Sequence, residues 1–336
     1  MSKKLTFFYP PGQDSFLKDI IKDARTYEGF DIDTFDLTPL MQKLQNPGAG
    51  DDQYYYRVWR SSDVCWFEWG HDVMKFITRG PKYAKHIMRI HSYEVFNGIQ
   101  HQINWNNIDK VVVVNDSIKE IIQKGIPGSI RGTNLPDEKI EVIYNGVDVN
   151  KFSIPKDKKF NKKVAYVGYL NHKKDPALLM QVFQAIYEYD NEFSFHIAGE
   201  HQDPRFVVYL KHISDYLNFP IYFDGWQRDV PKYLADKDFV VSSSIFESFQ
   251  MSMMEGMAQG VLPLVNNWFG ALNIYKKEHI WTSIKDCVDI VDKFVGLEDK
   301  DSYRQGLRDY VVHNFSLDMQ LGEVSNLIHG VVDGSC

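Results

Sequence analysis

The chain of 336 residues carries only three cysteines, Cys65, Cys287 and Cys336, an odd number without metal-ligand spacing. They cannot build a disulfide framework and read as reduced thiols of a cytoplasmic protein. Long apolar runs are also missing, so no segment suits a membrane-spanning helix. Met1-Ser2-Lys3-Lys4 leads directly into the strand-like Leu5-Thr6-Phe7-Phe8-Tyr9, which is not the pattern of a secretory leader. Positive charge is not in excess. Lys and Arg number 38 against 45 Asp and Glu, and the net charge of −7 argues against nucleic acid as the main partner. The chain has no P-loop, no nucleophile elbow, no low-complexity tract and no short-period repeat. The pairs His71-Asp72 and His201-Gln202-Asp203 lack convergent partners, so no metal site is expected.

What the chain does contain is a pattern of alternating strands and helices. Hydrophobic residues at 44% and charged residues at 25% can build soluble cores, and the length suits two domains. In the first 150 residues, strands are expected at Leu5–Tyr9, Asp31–Leu37, Val64–Phe67, Ile87–Ile90, Val111–Val114 and Ile140–Ile143. A helix is expected over Ser15–Tyr27, with Phe16, Ile20, Ile21 and Ala24 on its apolar face, and Asn115-Asp116-Ser117 caps another that runs to Lys124. Gln45–Asp52 is a loop by composition. A hinge is expected near Asn150–Asn161, where Pro155 and a lysine-rich run break the pattern. A second βα series follows from Val164 to about Val295, and the last segment is helical with a break at Asn314-Phe315-Ser316. The expected fold class is α/β, with two Rossmann-like parallel-sheet domains.

The most informative segment is Glu247-Ser248-Phe249-Gln250-Met251-Ser252-Met253-Met254-Glu255. The strand-like Phe239–Ser244 precedes it. A helix ending at Gly260 and a further strand, Val261–Val265, follow. The pair of glutamates alone is weak evidence. The context makes it specific, placing Glu247 at a strand's C-terminal end, where α/β sheets bind ligands, and Glu255 about a turn into the next helix. Other strand–glycine junctions stand at Val164–Gly168, Phe195–Gly199 and Ile221–Gly225, and Lys173-Lys174 lies in the loop after the first of them.

In this order the motifs resemble the retaining, nucleotide-sugar-dependent glycosyltransferases of the two-Rossmann GT-B type, in the large family that includes sucrose synthase. The likeness is strong over roughly residues 140–275 and thin before them. It implies an N-terminal acceptor domain over 1–150, a nucleotide-sugar domain over 151–305, a cleft between them, and a helical segment over 306–336 that returns to the first domain. It also implies roles. Lys174 matches the diphosphate-binding lysine, Glu247 a glutamate near the donor sugar, and Glu255 the acceptor of the ribose hydroxyls, whose vicinal diol suits two carboxylate oxygens. Phe249, Gln250, Met251 and Ser252 would present backbone N–H groups at a helix N-terminus, and Gly168 would open the phosphate loop. His91 matches the histidine that faces the transferred sugar, and Gly12 would let the first strand–helix turn approach the diphosphate.

Two positions depart from the family pattern. Tyr169 stands where an arginine is usual, and a phenol supplies no fixed positive charge, which leaves Lys173 or His172 to compensate. Gln250 adds a side chain where the backbone usually approaches the sugar, which bears on donor identity. The implied activity is transfer of a sugar from a nucleotide diphosphate to a glycan, lipid-linked or protein acceptor hydroxyl. No cofactor or metal is required beyond the donor substrate. A non-catalytic partner subunit and an epimerase or phosphorylase on the same fold remain open readings. So do plain structural roles: a solvated Lys173-Lys174 loop, a helix-capping glutamate and a structural His91. Finally, Val73–Ile90 carries Lys75, Arg79, Lys82, Lys85 and Arg89 without an acidic residue, close to aromatic Tyr54–Trp59. This raises a peripheral contact with the inner face of an anionic membrane, against the alternative of an ordinary solvated helix face.

Overall fold

The computed structural model describes residues 2–10, 12, 15–46, 52–70 and 72–334. Cys336, His71 and residues 47–51 of the expected loop lie outside them. The chain divides into two compact units, one of Met1–Asn145 with Asp318–Cys336 and the other of Gly146–Leu317.

In the first unit the strands are β1 (Lys3–Tyr9), β2 (Phe30–Asp36), β3 (Val64–Glu68), β4 (Lys85–Ile90), β5 (Lys110–Val113), the short antiparallel pair β6 (Gly125–Ile126) and β7 (Ile130–Arg131), and β8 (Ile140–Val142). Six of them form one parallel sheet in the order β2-β1-β3-β4-β5-β8. The helices between them are α1 (Lys18–Ala24), α2 (Thr38–Gln45), α3 (Asp52–Ser61), α4 (Asp72–Ile77), α5 (Ser92–Phe96) and α6 (Asp116–Lys124). Every residue of β3 and β5 is buried, as a parallel sheet covered on both faces requires. The helix expected over Ser15–Tyr27 is shorter, with its buried stripe of Ile20, Ile21 and Ala24 intact. Aromatic Tyr54–Trp59 is helical and lies in α3, with Tyr55 and Trp59 buried.

The second unit holds β9 (Lys163–Val167), α7 (Pro176–Tyr189), β10 (Ser194–Ala198), α8 (Pro204–Leu217), β11 (Ile221–Gly225), α9 (Val230–Leu234), β12 (Phe239–Ser242), α10 (Met251–Ala258), β13 (Leu262–Asn266), α11 (Ala271–Ile274), β14 (Ile280–Trp281), α12 (Ile284–Val295) and α13 (Lys300–Phe315). Its parallel sheet runs β11-β10-β9-β12-β13-β14, the Rossmann strand order, with its reversal between β9 and β12. After α13 the chain makes one extended step at Ser316, where Val147 N–H donates to the Phe315 carbonyl and Leu317 N–H to the Val147 carbonyl. The last helix, α14 (Leu317–Asp333), then enters the first unit. There Val324, Leu327, Ile328 and Val331 complete a core with Leu5, Phe7, Ile20, Val64 and Trp66.

Glycine fixes the C-terminal rim of the second sheet. Gly199 has φ +146°, and a Cβ built on it would lie 1.8 Å from the Gly168 carbonyl oxygen. Gly168 N–H donates to the Ala198 carbonyl and Gly199 N–H to the Gly225 carbonyl, both at 2.9 Å, so the ends of β9, β10 and β11 are held in close register. Gly199→Ala combines a forbidden backbone conformation with a backbone clash. It should lower the unfolding free energy by about 3 kcal/mol or more, read as a shift of the urea midpoint.

Candidate active site

The reversal of strand order leaves the C-terminal ends of β9 and β12 side by side, and two loops meet there. In the first, Gly168 takes φ +152°, and the Asn171 side chain caps a single 3-10 turn by accepting from Lys174 N–H at 3.2 Å. Asp175, at φ +43°, then caps α7 through Leu178 N–H. In the second loop Ser242, Ser243 and Ser244 are buried. Ser243 Oγ donates to the Lys174 carbonyl at 2.6 Å, and Ile245 N–H donates to the Lys173 carbonyl at 2.9 Å. These bonds lock the backbone of the lysine pair to the β12 loop, so that both ammonium groups converge on one carboxylate.

That carboxylate is Glu247, 4% exposed. Lys174 Nζ bonds its Oε1, Lys173 Nζ lies 3.3 Å from its Oε2, and Ser244 Oγ donates to Oε1 at 2.8 Å. Burial pushes the Glu247 carboxyl upward, but Lys174 and Lys173 together with these hydrogen bonds outweigh it and hold the group below the usual glutamate range. Burial is also the largest influence on Lys174, drawing its ammonium below the usual lysine range against the pull of Glu247. The site therefore holds two cations neutralised in part by one buried anion. An arriving dianionic group can compete for those cations.

Glu255 sits in the second turn of α10 in a different setting. No group among the described residues donates to its carboxylate, and burial, only partly offset by Lys151, raises it to about 7. At the start of the same helix Gln250 is buried in the capping position, and its Oε1 has no partner among the described residues. Half-buried Met251 and Ser252 form the first turn. The Phe249 ring, by contrast, packs inward against Phe315 at 5.5 Å, so its contribution to a ligand is limited to backbone. The Tyr169 ring turns to Trp226, 5.4 Å away, and not to the lysines. Lys173 supplies the second charge beside Glu247, while His172 stays exposed.

In the first unit His91 follows β4 and is 5% exposed. Its Nε2 meets Glu68 Oε1 at 2.8 Å, and its ring stacks on Trp69 with centroids 3.9 Å apart. His91 also caps α5, its N–H donating to Glu94 Oε2 at 3.1 Å. Glu68 is fully buried. Burial pushes it up, but Arg89 and His91 outweigh that and hold it low. Sequence reasoning missed Glu68, although its place at the end of β3, in the same sheet as His91, was the available signal. Gly12 is exposed with φ +69°, and a Cβ built on it meets nothing within 4 Å among the described residues. The basic segment does not form one charged face. Arg89 is buried on Glu68 and Asn145, and Lys82 and Lys85 share Asp109, because its last part is the buried strand β4 and not a helix.

Comparison with known proteins agrees with this geometry. Residues 161–298 match the family described as glycosyl transferases group 1. An uncharacterized glycosyltransferase of Methanocaldococcus jannaschii is 26% identical over 231 residues, which is 62% of this chain and 55% of that protein. The UDP-Gal:alpha-D-GlcNAc-diphosphoundecaprenol alpha-1,3-galactosyltransferase of Escherichia coli is 24% identical over 207 residues, 56% of this chain and 54% of that protein. The chain thus spans about half the length of these relatives. Among solved structures, Anabaena Alr3699/HepE in complex with UDP and glucose superposes with a TM-score of 0.76 at 16% identity, over 98% of this chain and 100% of that one. Two parallel-sheet units define the fold, which the solved structures share, and residues 161–298 of the second unit are similar to the family described as glycosyl transferases group 1.

The two glutamates make opposite contributions to stability with pH. Glu255 is raised in the folded state, so it disfavours folding when ionised. That penalty is absent below pH 4.5 and grows as pH rises to about 7. Glu255→Gln should therefore raise the unfolding free energy at pH 8 by up to about 3 kcal/mol, with most of the gain gone at pH 4.5. Glu247, held low, contributes stability that is full above pH 4.5 and is lost only as pH falls further, through its lowered folded range, so Glu247→Gln should lower the unfolding free energy at pH 8 and the deficit should shrink only below pH 4.5. Urea titrations of Glu255→Gln at pH 8 and 4.5, and of Glu247→Gln at pH 8 and at a series of values below 4.5, check this.

Proposed function

We propose that the protein transfers a sugar from a nucleotide diphosphate donor to an acceptor hydroxyl, with retention of anomeric configuration and without a required metal. The observation that carries this reading is the convergence of Lys173 and Lys174 on buried Glu247 at the strand-order reversal. As the glycosidic bond breaks, negative charge gathers on the leaving diphosphate, and fixed cations there act mainly in the transition state. Glu255, with no donor on its carboxylate, is assigned to the ribose diol. Gly168 and the first turn of α10, from Gln250 to Ser252, are assigned to the diphosphate and sugar, with Phe249 contributing backbone only. Donor binding is assigned mainly to the second unit. In the first unit, His91 is assigned to the transferred sugar, its ring held by Glu68, and Gly12 to the donor phosphates.

The Escherichia coli relative is named for a diphosphoundecaprenol-linked substrate and the Anabaena structure for UDP and glucose. These names support a nucleotide-sugar donor and a glycan or lipid-linked acceptor for this chain, with protein acceptors a further option for the assay. A peripheral membrane contact of the first unit is assigned to α3, where Arg60 lies over the Tyr56 and Tyr83 rings and Arg57 lines the same surface hollow as Tyr56 and Arg60. No helix among the described residues is long and apolar enough to cross a membrane.

The deciding assay measures nucleotide release from UDP-, GDP- and ADP-sugars with and without acceptor. Release that depends on acceptor supports transfer. Its absence in a folded protein with every donor favours the non-catalytic partner. Lys174→Ala should cut kcat by on the order of 10²-fold with a smaller change in KM, whereas Glu255→Gln should raise the donor KM more than it lowers kcat. Flotation with anionic vesicles at low salt should recover more protein than with neutral vesicles, and Arg57→Ala/Arg60→Ala should abolish the difference.

A further inference from the structure

The second unit begins with residues 146–162, which form no strand or helix among the described residues, so side chains must hold this stretch in place. Arg308 of α13 does so. Its Nη1 donates to the Phe152 carbonyl at 2.6 Å and to the Ala258 carbonyl at 2.9 Å, and its Nη2 donates to the Val149 carbonyl at 2.8 Å. All three partners are neutral carbonyls, so this rigid fork fixes backbone and does not neutralise an anion.

Each carbonyl belongs to a segment of consequence. Ala258 is the last residue of α10, whose terminal carbonyls lack partners within the helix, and a cation there suits the helix dipole. Val149 and Phe152 bracket a tight turn. In it the Asp148 carboxylate accepts from the Asn150 and Lys151 N–H groups, both at 3.0 Å, and Phe152 N–H donates to the Asp148 carbonyl at 3.0 Å. Phe152 is buried and Lys151 is exposed. One guanidinium thus joins the turn that carries Lys151 to the helix that carries Glu255, three residues before Ala258. Lys151 is also the charged side chain that opposes the effect of burial on the Glu255 carboxyl. The elements packed on α10 offer it no rival. Strands β12 and β13 contain no charged residue, and the buried Arg304 of α13 is engaged by Asp238 and Asp301.

We propose that Arg308 is a positioning residue for the donor site: it clamps the 148–152 turn to the end of α10 and so stations Lys151 to keep Glu255 ionised for the hydroxyls it accepts. The proposal rests on the assignment of Glu255 to the ribose and adds Lys151 and Arg308 to it. Neither residue touches the donor in this account. Both act through Glu255.

Isothermal titration with UDP, GDP and ADP at pH 7 and pH 9 tests it. Lys151→Met should weaken the tightest-binding nucleotide about 3- to 10-fold at pH 7, and the loss should close by pH 9, where Glu255 ionises without help. Lys151→Arg should bind like wild type, and Arg308→Ala should reproduce the pH-dependent loss. In a Glu255→Gln background Lys151→Met should change nothing further. A loss that is equal at both pH values, or that persists in Glu255→Gln, overturns the proposal. Urea unfolding at pH 8 runs the same cycle without nucleotide. There Lys151→Met should lower the midpoint of the wild type but not that of Glu255→Gln or Arg308→Ala. An equal drop in all three backgrounds overturns the clamp. A wild type that binds none of the three nucleotides yet keeps this coupling supports the clamp and overturns the ribose assignment alone.

Discussion

The geometry of the second unit's rim depends on one buried carboxylate shared by two ammonium groups. Glu247 has left water almost completely, and an unpaired buried charge is costly enough that a group normally neutralises instead. Here it stays ionised because Lys174, Lys173 and Ser244 surround it. Removing one partner of such a buried pair typically costs about 3–5 kcal/mol, since the other charge is left uncompensated. The same contacts tie the loop after β9 to the loop after β12, and Ser243 and Ile245 reinforce the tie through the lysines' own backbone. The lysines are therefore held in a fixed orientation by the protein itself, which is the preorganisation that the proposed diphosphate role requires.

The two glutamates of the motif divide the work through their surroundings. Glu247 is saturated with donors and ionised, while Glu255 has none and is raised to about 7 by burial. Hydrogen bonds donated to a carboxylate stabilise its ionised form, so a ligand that donates to Glu255, as the proposed ribose would, would release a proton near neutral pH. Binding and protonation are thereby linked at one residue of the pair and not at the other. In the first unit a similar contrast holds around His91: Glu68 is held low by Arg89 and His91, and Glu94 is raised by burial although it accepts from Gly70 and His91 N–H groups.

Much of this was legible in the sequence because parallel strands are buried on both faces and end at glycine or small polar residues. Val111–Val113 and Phe239–Ser242 are such runs, and the break at Asn314–Ser316 marks the step between α13 and α14. The motif placed Glu247 and Lys174 in adjacent loops. What it could not supply was direction. Phe249 faces the core, Tyr169 turns to Trp226, and Lys173 is the residue that joins Lys174, because loop pairing and helix packing decide side-chain orientation. The basic run through Arg89 was misleading for the same reason. Counting charges along a segment ignores that β4 is a buried central strand, whose arginine finds its partner inside the unit. Glu68 was invisible as a site residue, since a glutamate at a strand end carries no motif of its own.

The central claim is that the Lys173–Lys174–Glu247 cluster is a diphosphate site, and thermal unfolding in the presence of nucleotides tests it most directly. A ligand that binds only the folded state adds about 2.7 kcal/mol at a hundredfold excess over its Kd. The account predicts that at least one of UDP, GDP and ADP raises the wild-type Tm by several degrees, that the matching nucleoside does not, and that Lys174→Ala loses the shift. A folded wild type whose Tm is indifferent to all three diphosphates, or a Lys174→Ala variant that keeps the full shift, would contradict it.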